Sequence, residues 1–277
     1  MSIVQLYDIM KKRLQTIVPQ ERITRIRGMA WLQSGLLQSR SVHLTRIANK
    51  LPGRAKKLSR VRQLERLLAN RHIRVRDWYH PVAAGLLRSA AAAGGPLRLI
   101  IDGSKVGHGH QLLMVALGYR RRALPLAWTW VRSTRGHSSG DKQGALLAYV
   151  RRLVPATADV VVIGDSEYTP LQALLESWGW HYVLRQKGSH LLQLTPTHPW
   201  QRCDAFASQP GERLWLTNIT LTQQHAHRCH FLALWLPGEK EPWLLATNLP
   251  TARLTRLHYS RRMWIEGMFG DFKSNGF

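Results

Sequence analysis

Apolar positions recur along this chain at two different periods, and the change falls near residue 93. In "KKLSRVRQLERLLANRHIRVRDW", Leu58, Val61, Leu64, Leu67 and Leu68 return at helical spacing. Lys57, Arg60, Arg62 and Arg66 are expected on the opposite side. Residues 1–93 therefore read as a helical domain, and "AAAAGGP" at 90–96 as a small-residue linker. Strand signals follow: "LRLIID" at 97–102, then "QLLMVALGYR" and "ALPLAWTWVR" joined by a turn at "GYRRRA". "DKQGALLAYVRRLV" has helical period, "ADVVVIGD" reads as a buried strand, "PLQALLESWGW" as a short helix and "HYVLRQK" as another strand. The predicted order over 94–189 is β-β-β-α-β-α-β, an α/β pattern. "RLWLTNITLT", "HRCHFLALWL" and "PWLLATNL" make 190–250 β-rich, with turns at "QPGE" and "PGEKEP". A final helix is expected within 251–277.

Charge narrows the partner. Forty basic residues face sixteen acidic ones, a formal net charge of +24. That balance points to a polyanion, foremost nucleic acid, with an anionic membrane surface as competitor. Between Arg46 and Arg76 eleven Lys or Arg stand against one acid, Glu65. So one-sided a run is expected to contact phosphates rather than serve only as a solvated face. No run of apolar residues is long enough to span a membrane, and the first residues lack the pattern of a secretory leader. The expected location is cytoplasmic, associated with the nucleoid and without a membrane. Cys203 and Cys229 form no CxxC pair and read as packing residues. "HGH" at 108–110 reads as a hairpin turn rather than a metal site.

With so few carboxylates, their placement is informative. Asp102 and Asp165 each close a predicted buried strand, the position where α/β sheets carry their ligand sites. An aspartate after a strand is often only a turn former or a helix cap. Two of them side by side would repel unless a cation lay between them. Glu266, on the terminal helix, would complete an oxygen-rich site of the kind Mg²⁺ prefers. Two such ions would activate an attacking oxygen and stabilise a leaving one in phosphodiester transfer. On that helix Tyr259, Arg262, Glu266 and Lys273 are spaced by three, four and seven, which puts them on one face, with Ile265, Met268, Phe269 and Phe272 alongside. The plainer alternative is a surface helix with an Arg262–Glu266 ion pair worth about 0.3–0.5 kcal/mol.

The stretch "YSRRMWIEGMFGDFK" resembles the YREK signature of DDE transposases from bacterial insertion sequences, the fourth insertion-sequence family, with Tyr259, Arg262, Glu266 and Lys273 at its four positions. "IIDGS" and "VVVIGDSEYT" resemble the family's two aspartate blocks. The resemblance covers roughly 55–277. It implies an RNase H-like catalytic core at 94–189 and 251–277, a β-rich insertion at 190–250 and a basic, helical DNA-binding region at 1–93. Asp102, Asp165 and Glu266 would be the catalytic metal ligands for two Mg²⁺ ions, with Mn²⁺ as substitute. Tyr259, Arg262 and Lys273 would hold DNA phosphates. Arg185 and Lys187 of "YVLRQKG" would approach the backbone, and Trp243 of "EPWLLATN" would stack on a displaced base. Arg60, Arg62 and Arg66 would add affinity.

The implied activity is metal-dependent cleavage at transposon ends and strand transfer into target DNA, by a homodimer on double-stranded DNA. Family chains continue past the signature lysine, whereas four residues follow Lys273 here. A chain shortened at its C-terminus is therefore expected. Two alternatives stand beside this reading: a truncated, non-cutting regulator of transposition, and an RNase H-like nuclease.

Overall fold

The computed structural model describes residues 1–107, 109–132, 138–222 and 226–275. His108 of the "HGH" turn lies outside the described residues. The chain divides into two compact units, Met1–Leu86 with Gly270–Phe277, and Leu87–Phe269.

The first unit is helical: α1 (Ile3–Ile17), α2 (Ile23–Ser39), α3 (Leu44–Lys50), α4 (Lys57–Leu68) and the start of α5 (Val75–Ala92). Ser2 and Gln5 form a reciprocal capping box at the head of α1. Leu32, Ile47, Ala48 and Leu64 form a core between α2, α3 and α4. Gly28 and Gly35 let these helices meet closely, since an added Cβ would stand 2.8 Å from Leu67 and 2.7 Å from Ile47. Leu58 and Leu68, in the first and last turns of α4, are 70% and 59% exposed, contrary to the apolar stripe expected for them. Helix α5 runs to Ala92, so the expected linker shrinks to residues 93–96; alanine is the best helix former and continues the helix.

The second unit is built on one mixed sheet, ten-stranded among the described residues. Strands β1 (Leu97–Lys105), β2 (His110–Tyr119) and β3 (Arg122–Arg132) are antiparallel neighbours. Arg120 and Arg121 turn the β2–β3 hairpin with φ of 46° and 64°, the handedness that suits a two-residue turn between twisted strands. After α6 (Gly140–Arg151), strand β4 (Val160–Gly164) pairs parallel to β1. A 3₁₀ turn at Ser166–Leu171 and α7 (Gln172–Ser177) lead to β5 (His181–Arg185), parallel to β4. The element order over this stretch is the one the hydrophobic pattern predicts.

Residues 190–250 carry β6 (Leu191–Gln193), β7 (Gln201–Arg202), β8 (Arg213–Leu221), β9 (His227–Leu234) and β10 (Trp243–Thr247). These strands do not form a sheet of their own. β10 pairs antiparallel with β5, so the sheet runs on in the order β3-β2-β1-β4-β5-β10-β9-β8-β6-β7. Cys203 and Cys229 are buried and free here, and burial pushes both thiols up to about 12. Among the described residues no helix is long and apolar enough to cross a membrane.

The expected single terminal helix is instead α8 (Ala252–Tyr259), a turn, α9 (Met263–Gly270) and a π-helical turn at Asp271–Asn275. The backbone N–H groups of Arg261, Arg262, Trp264 and Ile265 bond carbonyls three residues back, and this tighter winding interrupts the regular face. Ile265, Met268 and Phe269 are buried, while Phe272 is 51% exposed.

Candidate functional site

The site begins with a matter of register. Ile100 of β1 and Ile163 of β4 are paired neighbours, and both pack in one cluster with Tyr259, Ile265, Met268 and Phe269. Side chains alternate along a strand, so residues two further on share that face. Those residues are Asp102 and Asp165. Gly164 stands just before the second of them, where an added Cβ would meet Tyr168 at 2.9 Å and Ile101 at 3.1 Å. Asp102 does not end its strand as expected. Pairing with β2 carries β1 on to Lys105, while pairing with β4 stops at Ile100, so Asp102 lies beyond the edge of β4 but inside the β1–β2 ladder.

One guanidinium gathers the three predicted carboxylates. Arg262 donates from Nη1 to Asp102 Oδ2 at 3.1 Å, and its Nη2 lies 2.7 Å from Glu266 Oε1 and 3.7 Å from Asp165 Oδ2. The other oxygen of each aspartate accepts a backbone N–H, from Gly103 and from Ser166, both at 2.8 Å. Among the described residues no three His, Cys, Asp or Glu side chains stand close enough together to hold a metal ion; at this place the arginine lies among them.

Burial governs the electrostatics. It pushes the Asp102 carboxyl up to about 6, although Arg262 and the Gly103 N–H pull the other way. Burial also works against the Arg262 charge, but Tyr259 and the three carboxylates hold its protonation above the ordinary range. Tyr259 is 4% exposed and stands edge-on to Trp243 at 5.0 Å between ring centres. Trp243 opens β10 and is half-buried, packed against the core.

The remaining predicted residues are dispersed. Arg185 is paired with Glu241 at 2.7 Å, a partner that sequence reading missed because it sits in a turn 56 residues away. Lys187 is exposed and lines a cleft with Asp165, Arg185 and Asp204. Arg62 and Arg66 are exposed on α4. Arg60 does not share their exposed face. It precedes Leu64 by four residues and Leu67 by seven, which puts it on the buried stripe. Its guanidinium donates to the Ala48 carbonyl at 3.3 Å and to those of Leu51 and Gly53, closing the end of α3. Lys273, in the π-helical turn, is exposed and belongs to the helical unit.

No family model matches the chain, and no curated protein does. Among solved structures, a cryo-EM structure of the piggyBac transposase synaptic complex with hairpin DNA is similar to it, with a TM-score of 0.45 and 10% identity. The match covers 96% of this chain, which spans 65% of the length of that one.

Proposed function

We propose that the chain is a DDE transposase with an RNase H-like core, cutting DNA at the ends of its element and joining those ends to target DNA. The observation that carries the reading is the convergence of Asp102, Asp165 and Glu266 on one cation, from two adjacent parallel strands and a helix far along the chain. A solvated ion pair would need one of these acids, not three. In kind, the donors suit Mg²⁺ or Mn²⁺. They are hard anionic oxygens, and each aspartate is braced by a backbone N–H on one oxygen while the other faces a cation. When bound, two such ions supply polarisation of the attacking and leaving oxygens of a phosphodiester.

The reading assigns the chain's own residues as follows. Asp102, Asp165 and Glu266 would hold the ions, in the place the Arg262 guanidinium takes among them here. Arg262 and Tyr259 would donate to DNA phosphates at that site, and Lys273, in the helical unit, to DNA phosphates as well. Arg185 and Lys187 flank the backbone beside Asp165, and Trp243 offers a ring face to a displaced base. Double-stranded DNA is the substrate, and two copies of the chain act together on paired ends.

The seated Arg262 also favours a second reading, a non-cutting binder of element ends. One experiment separates the two: incubation of the protein with DNA flanking its gene, with and without Mg²⁺. The transposase reading expects Mg²⁺-dependent cuts that Asp165→Asn abolishes while gel shifts persist. Intact DNA with the unaltered chain leaves the binder, and cutting by Asp165→Asn sinks the assignment of the acids.

A further inference from the structure

A second cluster of arginines lies at the other end of the same strands. Arg98 is the second residue of β1, Arg120 and Arg121 form the β2–β3 turn, and Arg261 follows α8. Together with Trp264 and Tyr119 they line a cavity of about 370 Å³ that has no acidic residue in its wall. The strand rise of about 3.3 Å per residue sets Arg98 about 13 Å from Asp102 along β1, so this cavity is distinct from the carboxylate site.

Two features distinguish it from a solvated basic surface. Arg98 Nε and Arg261 Nη1 are buried and have no hydrogen-bond partner. Buried donors are normally satisfied, and leaving one unmade is costly. The charges are also uncompensated: burial, and then the Arg261 charge, lower the Arg98 affinity for its proton. Water could accept the hydrogen bonds but would leave the charge unbalanced. An oxyanion with several acceptors does both, and the planar guanidinium fork matches phosphate. Arg261 lies over the Trp264 ring at 5.7 Å, and Arg120 over the Tyr119 ring at 5.2 Å, so flat apolar walls flank the cations. Sugars and bases beside a backbone phosphate need such walls.

We propose that this cavity is a phosphate-binding site that takes a backbone phosphodiester of nucleic acid, apart from the segment whose phosphodiester reaches the carboxylates. It rests on nucleic acid being the partner, not on the cutting chemistry.

The test is binding of a short duplex, read by fluorescence anisotropy across a salt series without divalent ions, so failure of the catalytic assignment leaves it untouched. Arg120→Asn with Arg121→Gly removes two cations yet keeps residues that accept the left-handed turn. Arg151→Gln with Arg152→Gln, at the exposed end of α6, removes the same charge elsewhere. The pocket variant, and Arg261→Gln singly, should lower the slope of log K against log salt by about 0.9 for each phosphate no longer neutralised, more than the α6 control does. Equal shifts in pocket and control variants overturn the proposal. Inorganic phosphate, compared with chloride at matched ionic strength, distinguishes the source. If it stabilises the unaltered chain against heat but not the pocket variant, while duplex slopes stay equal, the cavity takes free phosphate and the nucleic-acid assignment falls.

Discussion

Arg261 and Arg262 are consecutive in the chain, yet their surroundings are opposite. Arg262 is 12% exposed and ringed by Asp102, Asp165 and Glu266, so its charge is over-compensated. Arg261 shares a cavity with three other arginines and no acid, and one of its nitrogens is buried without a partner. The tight turn after α8 makes this possible, because side chains of adjacent residues leave a helical turn about 100° apart. The contrast shows that a basic residue's role is set by the sign of what surrounds it. One arginine here holds acids together; the other waits for an anion.

The largest expected effect comes from removing the compensated member. Arg262→Gln leaves three carboxylates facing one another and should cost about 3 kcal/mol in denaturant unfolding, the low end for breaking a buried pair because Glu266 and Asp165 are partly solvated. Mg²⁺ should return part of that loss by binding the folded state. Arg261→Gln should cost far less, because it relieves repulsion. Equal losses would break the comparison.

Arg60 sharpens it from the other unit. Arg60→Ala should cost about 1–2 kcal/mol by leaving the half-buried Leu51 carbonyl without its donor. Replacing Arg62 and Arg66 together should leave stability within about 0.5 kcal/mol but flatten the salt dependence of DNA binding. A melting curve and a salt series on each variant decide whether position on α4 separates structural from DNA-contacting arginines.

The smallest effect is a pH dependence. His258 is 3% exposed with Nδ1 unpartnered. Burial first, then Arg98 and Arg261, lower its pKa to about 4, while Asp159 opposes and nearby His181 adds to the fall. The unfolded chain then binds more protons between about pH 4 and the ordinary value near 6.5. Stability is therefore fully present above that ordinary value and falls as pH drops through the window, by on the order of 1 kcal/mol near its middle. His258→Phe should flatten this portion of the pH profile of urea unfolding; an unchanged profile would mean that His258 is not depressed in the folded chain, by burial or by the two arginines.

What could be read from sequence was what local pattern controls. Apolar runs marked β1 to β5 in order, and the acids that follow Ile100 and Ile163 by two lie on one face because strand alternation requires it. The spacing of Arg262 and Glu266 likewise foretold their ion pair. What stayed hidden depends on partners far along the chain. Nothing near Arg262 shows that Asp102 is its partner, and nothing in "PWLLATNL" shows that β10 adds to β5. Charge groups Arg60 with Arg62 and Arg66, whereas its spacing to Leu64 and Leu67 sets it on the buried side of α4. The basic cavity went unread because it joins the start of one strand, a hairpin turn and a helix end, which no single segment displays.

The separation of Arg262 from Asp102 by 160 positions also bears on synthesis. At typical ribosomal speeds the gap corresponds to roughly ten to thirty seconds. Asp102 exists for that interval, and Asp165 for its later part, without the arginine that gathers them, so any sheet formed early leaves these acids to water. The assembled cluster is thus a late product of translation: a nascent chain stalled before residue 262 carries the strands of the site but cannot close it.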